Sequence, residues 1–118
     1  MAARYREIYI HSKLMIIDDS MFTLGSANLN LRSMAVDSEI NIASDDMGLS
    51  TNLRRRVWGM HTEGTQDGGD GSAATIVDTF GKWGKLMQAN ASERKRGNPP
   101  LGFLQPFSDR RTSHIRLG

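Results

Sequence analysis

Apolar residues alternate with polar ones along the first part of the chain and recur every three or four positions along the second. These are the periods of strands and of helices. Across residues 5–10 the alternation puts Ile8 and Ile10 on one face of a strand, with Tyr9, His11 and Lys13 on the other. Residues 14–17 are an apolar run of strand length. Asp18, Asp19 and Ser20 signal a turn, and residues 21–24 return before Gly25 and Ser26 end the run. Together they predict a hairpin. Residues 38–43 alternate again, with Ile40 and Ile42 expected to face inward.

Further on, Leu49, Leu53, Val57 and Met60 predict a helix, with Ser50 or Thr51 as its N-cap. Residues 64–72 are glycine-rich and read as a flexible loop or a lid. Ile76, Phe80, Trp83 and Met87 mark a second amphipathic helix capped by Ser72. Gly81 and Gly84 inside it each cost about 1 kcal/mol against alanine. Beyond residue 97, Pro99, Pro100 and Pro106 interrupt regular structure, while Leu101, Phe103, Leu104 and Phe107 give the tail something to pack with. The expected organisation is a strand region over 1–45, a helical region over 46–96 and a tail over 97–118, all in one domain. The fold class is α/β, a mixed β-sheet flanked by helices.

Composition narrows this picture. The 118 residues fit one small domain, and 38% hydrophobic with 24% charged residues is globular rather than disordered. The chain has no cysteine, which excludes disulfides and thiol chemistry. No apolar stretch follows the N-terminus, so neither a signal peptide nor a membrane span is expected, and any action on lipid would be from the surface. A net charge of +2 is too small by itself to argue for nucleic acid. Its clustering says more: Arg54 to Arg56, Arg94 to Arg96 around Lys95, and Arg110, Arg111 and Arg116 suit either a phosphate-bearing partner or a solvated surface. Trp58 and Trp83 read as core, as do Met15, Met21, Met34, Met47, Met60 and Met87.

The chemistry gathers between residues 11 and 39. His11 and Lys13, two apart on a strand, project from one face. Asp18 follows, then Gly25, Ser26, Ala27 and Asn28, then Arg32 and Ser33, then Asp37, Ser38 and Glu39. Cleaving a phosphodiester needs a nucleophile, a proton donor for the leaving oxygen and positive charge on the non-bridging oxygens. Histidine supplies either of the first two, lysine the third, and the amide of Asn28 can donate to a phosphate oxygen. Glu39, on a neighbouring strand, is placed to accept from the far nitrogen of His11 and fix its tautomer. A lone histidine is by default structural, and His61 and His114 are read so; His11 is set apart by its company. No His, Asp and Glu stand at ligand spacing, so no metal or other cofactor is expected.

This spacing resembles the HKD motif of the phospholipase D superfamily: His-x-Lys, four residues, Asp, six residues, Gly-Ser-x-Asn. Both gaps are kept here, and the continuation through Arg32, Ser33, Asp37, Ser38 and Glu39 is similar to that of the lipid-cleaving members. Leu53, Arg54, Val57, Trp58 and His61, and the tail from Pro100 to Phe107, also look like the bacterial and eukaryotic phospholipases D, the bacterial antibacterial effectors of type VI secretion above all. The resemblance implies phosphodiester hydrolysis, or phosphatidyl transfer to an alcohol, through a phosphohistidine. It makes His11, Lys13 and Asn28 catalytic, with Ser26 and Glu39 supporting them, and leaves Asp18 structural.

Such enzymes use two motifs facing each other, and this sequence carries one, because neither His61 nor His114 has a lysine two residues later. The resemblance therefore implies a second motif from another chain. That chain is either a second copy, as in the small single-motif nucleases, or the remainder of a two-motif enzyme whose C-terminal catalytic portion this is. The latter is favoured, since His11 lies ten residues from the start and the tail resembles the larger enzymes. It gives His11 the general acid and base role. The implied partners are a phospholipid membrane surface, the other motif-bearing half and, for an effector, an immunity protein, with no nucleic acid expected. The location is then the periplasm of a target cell, or otherwise the cytoplasm or a membrane periphery. Rival readings remain: a homodimeric endonuclease, disfavoured by Arg32 to Glu39; a cardiolipin synthase, which usually has Asp where Asn30 stands and Asn where Asp37 stands; and an inactive fragment bound to a partner protein.

Overall fold

The computed structural model describes residues 2, 4–6 and 8–107. His114, Arg110, Arg111, Arg116 and the last part of the tail lie outside the described residues. The chain divides into two compact units, one containing residues 8–50 and the other residues 51–107 with the N-terminal ones.

In the first unit, β1 (Lys13–Ile17), β2 (Met21–Gly25) and β3 (Asn41–Ser44) form an antiparallel sheet in the order β1-β2-β3. Leu14 pairs with Leu24 and Ile16 with Phe22, and Phe22 and Leu24 pair onward with Ser44 and Ile42. The hairpin turn closes with Ser20 N–H donating to Ile17 O at 2.8 Å. Asp18 and Asp19 both take positive φ, 48° and 54°. This is the left-handed conformation that aspartate tolerates better than most side chains, and it matches the twist of a hairpin.

Three expectations change here. Among the described residues the sheet is antiparallel throughout rather than mixed. Residues 8–12 are not strand: after Gly25 the chain bonds toward Ile40, through Ser26 N–H to Ile40 O at 3.0 Å, and leaves that stretch without a ladder partner. Ile40 and Ile42 are 79% and 57% exposed, while Phe22 is the buried large apolar residue of this unit. Alternation tells which side chains share a face, not whether anything covers it. Met15, Met34, Met47 and Met60 likewise stand exposed rather than in a core. Between β2 and β3, α1 (Leu31–Ala35) starts at Asn30, whose side chain accepts Ser33 N–H at 2.8 Å.

Helix α2 (Met47–Thr62) begins earlier than its apolar spacing predicts, because Asp46 rather than Ser50 or Thr51 caps it, accepting Leu49 N–H at 2.8 Å. Its buried stripe is polar: Ser50, Arg54 and Thr62, while Leu49 and Met60 are exposed. The reason lies in the glycine-rich segment after it. Arg54 donates to the carbonyls of Asp67 and Gly69, Arg55 Nε pairs with Asp67 Oδ2 at 3.1 Å, and Gln66 N–H donates to Thr62 Oγ1 at 3.1 Å. Gly68, at φ 81°, lies so close to Trp58 that a β-carbon would come within 2.9 Å of the ring.

Helix α3 (Ala73–Arg96) runs from its Ser72 cap to Gly97, which takes the left-handed conformation at φ 76°. Trp58 and Trp83 meet edge to face at 4.8 Å beside Phe80, and Trp83 Nε1–H donates to Gln66 O. Buried Asn90 clamps the tail, donating to Leu101 O and Leu104 O at 2.9 and 2.8 Å and accepting Leu101 N–H at 3.0 Å. His61 serves the same end: its carbonyl accepts Phe103 N–H at 2.8 Å and its ring stands edge to face with Phe103. Of the arginine runs, Arg54 is therefore structural, and Arg94 to Arg96 sit in the last turn of α3, where cations complement the helix dipole. Among the described residues no helix is long and apolar enough to cross a membrane.

Candidate active site

The site grows from the first residue of β1. Lys13 begins the strand and His11 stands two residues before it. Their side chains converge, with Lys13 Nζ 3.1 Å from His11 Nδ1 and 3.2 Å from Nε2. Near-equal distances place the ammonium between the two ring nitrogens rather than in line with either. The contact is thus a meeting of two groups at one spot. His11 is exposed and Lys13 half-buried, so the pair is reachable from solvent.

Across the sheet, Lys13 pairs with Gly25 and Gly25 with Asn41, which puts the three positions on one face. Where β2 ends, Ser26 is held on three sides. Its N–H donates to Ile40 O, its hydroxyl accepts Ile40 N–H at 3.2 Å, and that hydroxyl donates to the Glu39 carboxylate. A hydrogen bond to a charged acceptor contributes about 1.5–3 kcal/mol. Glu39 thus pairs with Ser26 and not with the ring of His11, as the spacing had suggested. The strand order explains it, since β2 lies between the strand that His11 precedes and the one Glu39 precedes.

Asn28 joins neither pair. It is half-buried, and among the described residues its carboxamide has no hydrogen-bond partner, so its N–H groups are open to an anionic oxygen. Asp18 sits in the turn at the opposite end of β1 from Lys13. Arg32 Nε bridges Asp37 at 2.9 Å, and Asp37 N–H donates to Arg32 O. This clamp closes the connection that delivers Glu39. An exposed pair contributes about 0–1 kcal/mol, so its use is geometric. Capping α1 is a task aspartate would perform as well as Asn30, so the residue type at 30 carries little functional weight.

Spacing did not single out Asn41, which accepts Ala27 N–H through Oδ1 at 3.1 Å. Its only sequence signal is its place two residues after Glu39. The carboxyls displaced from their ordinary range lie elsewhere, in the loop after α2. Asp67 is lowered chiefly by Gly69 N–H, against some burial, with help from Arg55 and Arg54. Asp70 is lowered chiefly by Ser72 N–H. Among the described residues no three His, Cys, Asp or Glu gather into a group that could hold a metal ion.

The arrangement is an imidazole and an ammonium meeting where β1 begins, and a Gly-Ser-x-Asn turn braced by a downstream acid. Residues 1–55 match the sequence profile of the family described as Phospholipase D. The chain is similar to a phospholipase D of Phytophthora infestans, 57% identical over 47 residues, or 38% of this chain and 3% of the relative. It is similar to phospholipase D alpha 4 of Arabidopsis thaliana, 41% identical over 64 residues, 48% of this chain and 8% of the relative. Cardiolipin synthase 1 of Staphylococcus epidermidis is 37% identical over 51 residues, 43% of this chain and 10% of the relative. The chain thus spans a small fraction of the relatives it matches. No solved structure matches it.

Proposed function

We propose that this chain supplies one of the two motifs of a phospholipase D-type enzyme that hydrolyses the phosphodiester bond of a phospholipid, or transfers the phosphatidyl group to an alcohol. The observation that carries the reading is the convergence of Lys13 Nζ on the His11 ring at 3.1 Å, with an Asn28 carboxamide that is unpaired among the described residues. Lys13 and Asn28 hold non-bridging phosphate oxygens, whose charge grows as the bond breaks. A histidine of the second motif attacks phosphorus, forming a P–N bond as the alkoxide departs, and His11 gives that oxygen its proton. His11 then takes a proton from water, whose oxygen displaces the histidine and releases the phosphatidate.

One histidine cannot be both attacker and acid in the same step, so the reading requires a second motif beyond residues 1–118, that of the remaining half of a two-motif enzyme. The similarity to phospholipases D over residues 1–55 supports lipid over nucleic acid as substrate. The likeness of the tail to antibacterial effectors extends the proposal to an enzyme secreted to the periplasm of a target cell and restrained by an immunity protein.

The test mixes the chain with fluorescent phospholipid vesicles and with plasmid DNA, alone and with the half bearing the other motif. Lipid cleavage only by the combined halves, lost at least about a thousandfold in His11→Ala as for removal of a catalytic acid and base, is the expected result. DNA nicking by the chain alone, or full lipid turnover by His11→Ala, would overturn it.

A further inference from the structure

Nothing in the motif's chemistry calls for Asn41, yet its carboxamide occupies a space that the chain keeps clear. A β-carbon on Gly25 would overlap Asn41 Oδ1 and the carbonyl of Ile40. Gly25 takes an ordinary strand conformation, paired on both sides, so its lack of a side chain answers to the Asn41 carboxamide and the Ile40 carbonyl together and not to backbone strain. Having crossed over Gly25, Asn41 Oδ1 accepts Ala27 N–H at 3.1 Å. Ala27 is the residue before Asn28.

The turn is therefore stitched residue by residue. Ser26 is held by Glu39 and by both backbone groups of Ile40, and Ala27 is held by Asn41. Three consecutive residues, Glu39 to Asn41, take charge of the two that precede Asn28. Without the last stitch, the backbone at Ala27 is free to turn, and Asn28 turns with it, because among the described residues no bond of its own side chain fixes its direction.

We infer that Asn41 is a positioning residue for the carboxamide of Asn28, acting through Ala27 N–H, in the space that Gly25 leaves beside the Ile40 carbonyl. This rests on the phospholipase reading for its consequence in turnover, but the bond itself can be examined without substrate. Asn41→Leu keeps the size of the side chain and removes the acceptor; Asn41→Asp keeps an acceptor oxygen in the same place.

The experiment has two arms. Amide exchange is followed at Ala27 in the chain, with the strand amides of β1 and β2 as internal control. Phospholipid turnover is followed in the combined halves. Loss of one hydrogen bond corresponds to roughly tenfold. In Asn41→Leu, Ala27 N–H is expected to exchange about tenfold faster with the strand amides unchanged, and KM to rise by about the same factor while kcat changes less. In Asn41→Asp, Ala27 protection returns. A partly unfolded enzyme would instead lose kcat at constant KM and protection throughout the sheet, and that result overturns the inference. So does unchanged Ala27 exchange in Asn41→Leu, or unchanged KM once that protection is lost. Inactive unsubstituted halves would strike the phospholipase reading, whereas the exchange arm decides the stitch on its own.

Discussion

At the scale of single residues, the sequence showed chemistry more readily than support. His11 and Lys13 are legible from their spacing of two, and the structure brings their tips together at 3.1 Å although His11 lies before β1 rather than on a strand. Glu39 was legible as an acid beside the site but not as the partner of Ser26, since which acceptor a carboxylate meets depends on strand order. Arg54 illustrates the opposite failure. Within a run of three arginines it reads as surface, yet it is 3% exposed and donates to the carbonyls of Asp67 and Gly69. Arg54→Met would keep an apolar stem but remove the guanidinium, which strips those carbonyls of a donor and the Trp58 ring of its cation. Each buried acceptor left unpaired costs about 1–3 kcal/mol, so we expect about 2–4 kcal/mol of destabilisation. Urea unfolding followed by tryptophan fluorescence measures it. A change of a few tenths would show that water replaces the guanidinium freely.

At the scale of elements, caps and turns were the readable features. Ser72 and the turn at Asp18 and Asp19 stand where the sequence signals them, because each is decided by bonds within a few residues. The apolar stripe of α2 misled, since what packs on that helix is a loop offering carbonyls, and a polar stripe receives it. Asp67 ties this loop to the helix and so makes the element sensitive to acid. Its carboxyl titrates below its ordinary 3.8 in the folded loop. It therefore binds a proton more weakly there than in the unfolded chain, and its contribution to stability is present above 3.8 and lost as the pH falls through the lower, folded value. Trp58 borders Gly68 and Trp83 bonds Gln66, so both indoles report on the loop. We expect their emission to change on acidification below 3.8, with a smaller pH dependence in Asp67→Asn, whose amide oxygen can still accept Gly69 N–H. Identical acid titrations of the two proteins would remove Asp67 from the account.

At the scale of the whole molecule, the surface of residues 8–50 carries the strongest argument that the chain works with something else. Its three-stranded sheet has β1 and β3 as edges, and Phe22 is its one buried large apolar residue among those described. Tyr9 is 88% exposed, Leu29 83% and Leu31 80%. A small sheet needs an apolar face covered to be stable by itself, and uncovered edges and apolar side chains invite association. Periodicity could not foretell this, because it reports the sidedness of a strand and not what covers it. If the half carrying the other motif provides the cover, the isolated chain should enhance the fluorescence of an apolar dye and self-associate as its concentration rises. Adding that half should reduce both effects and slow amide exchange in β1 or β3, whereas an unrelated acidic protein should do neither. The effect should also be independent of catalysis, because His11 sits at the sheet's end and contributes no apolar cover: His11→Ala should associate as the unsubstituted chain does while failing in turnover. A chain that stays monomeric and leaves the dye dark would mean that these side chains are satisfied by solvent, and the case for a second half would then rest on the chemistry of two histidines alone.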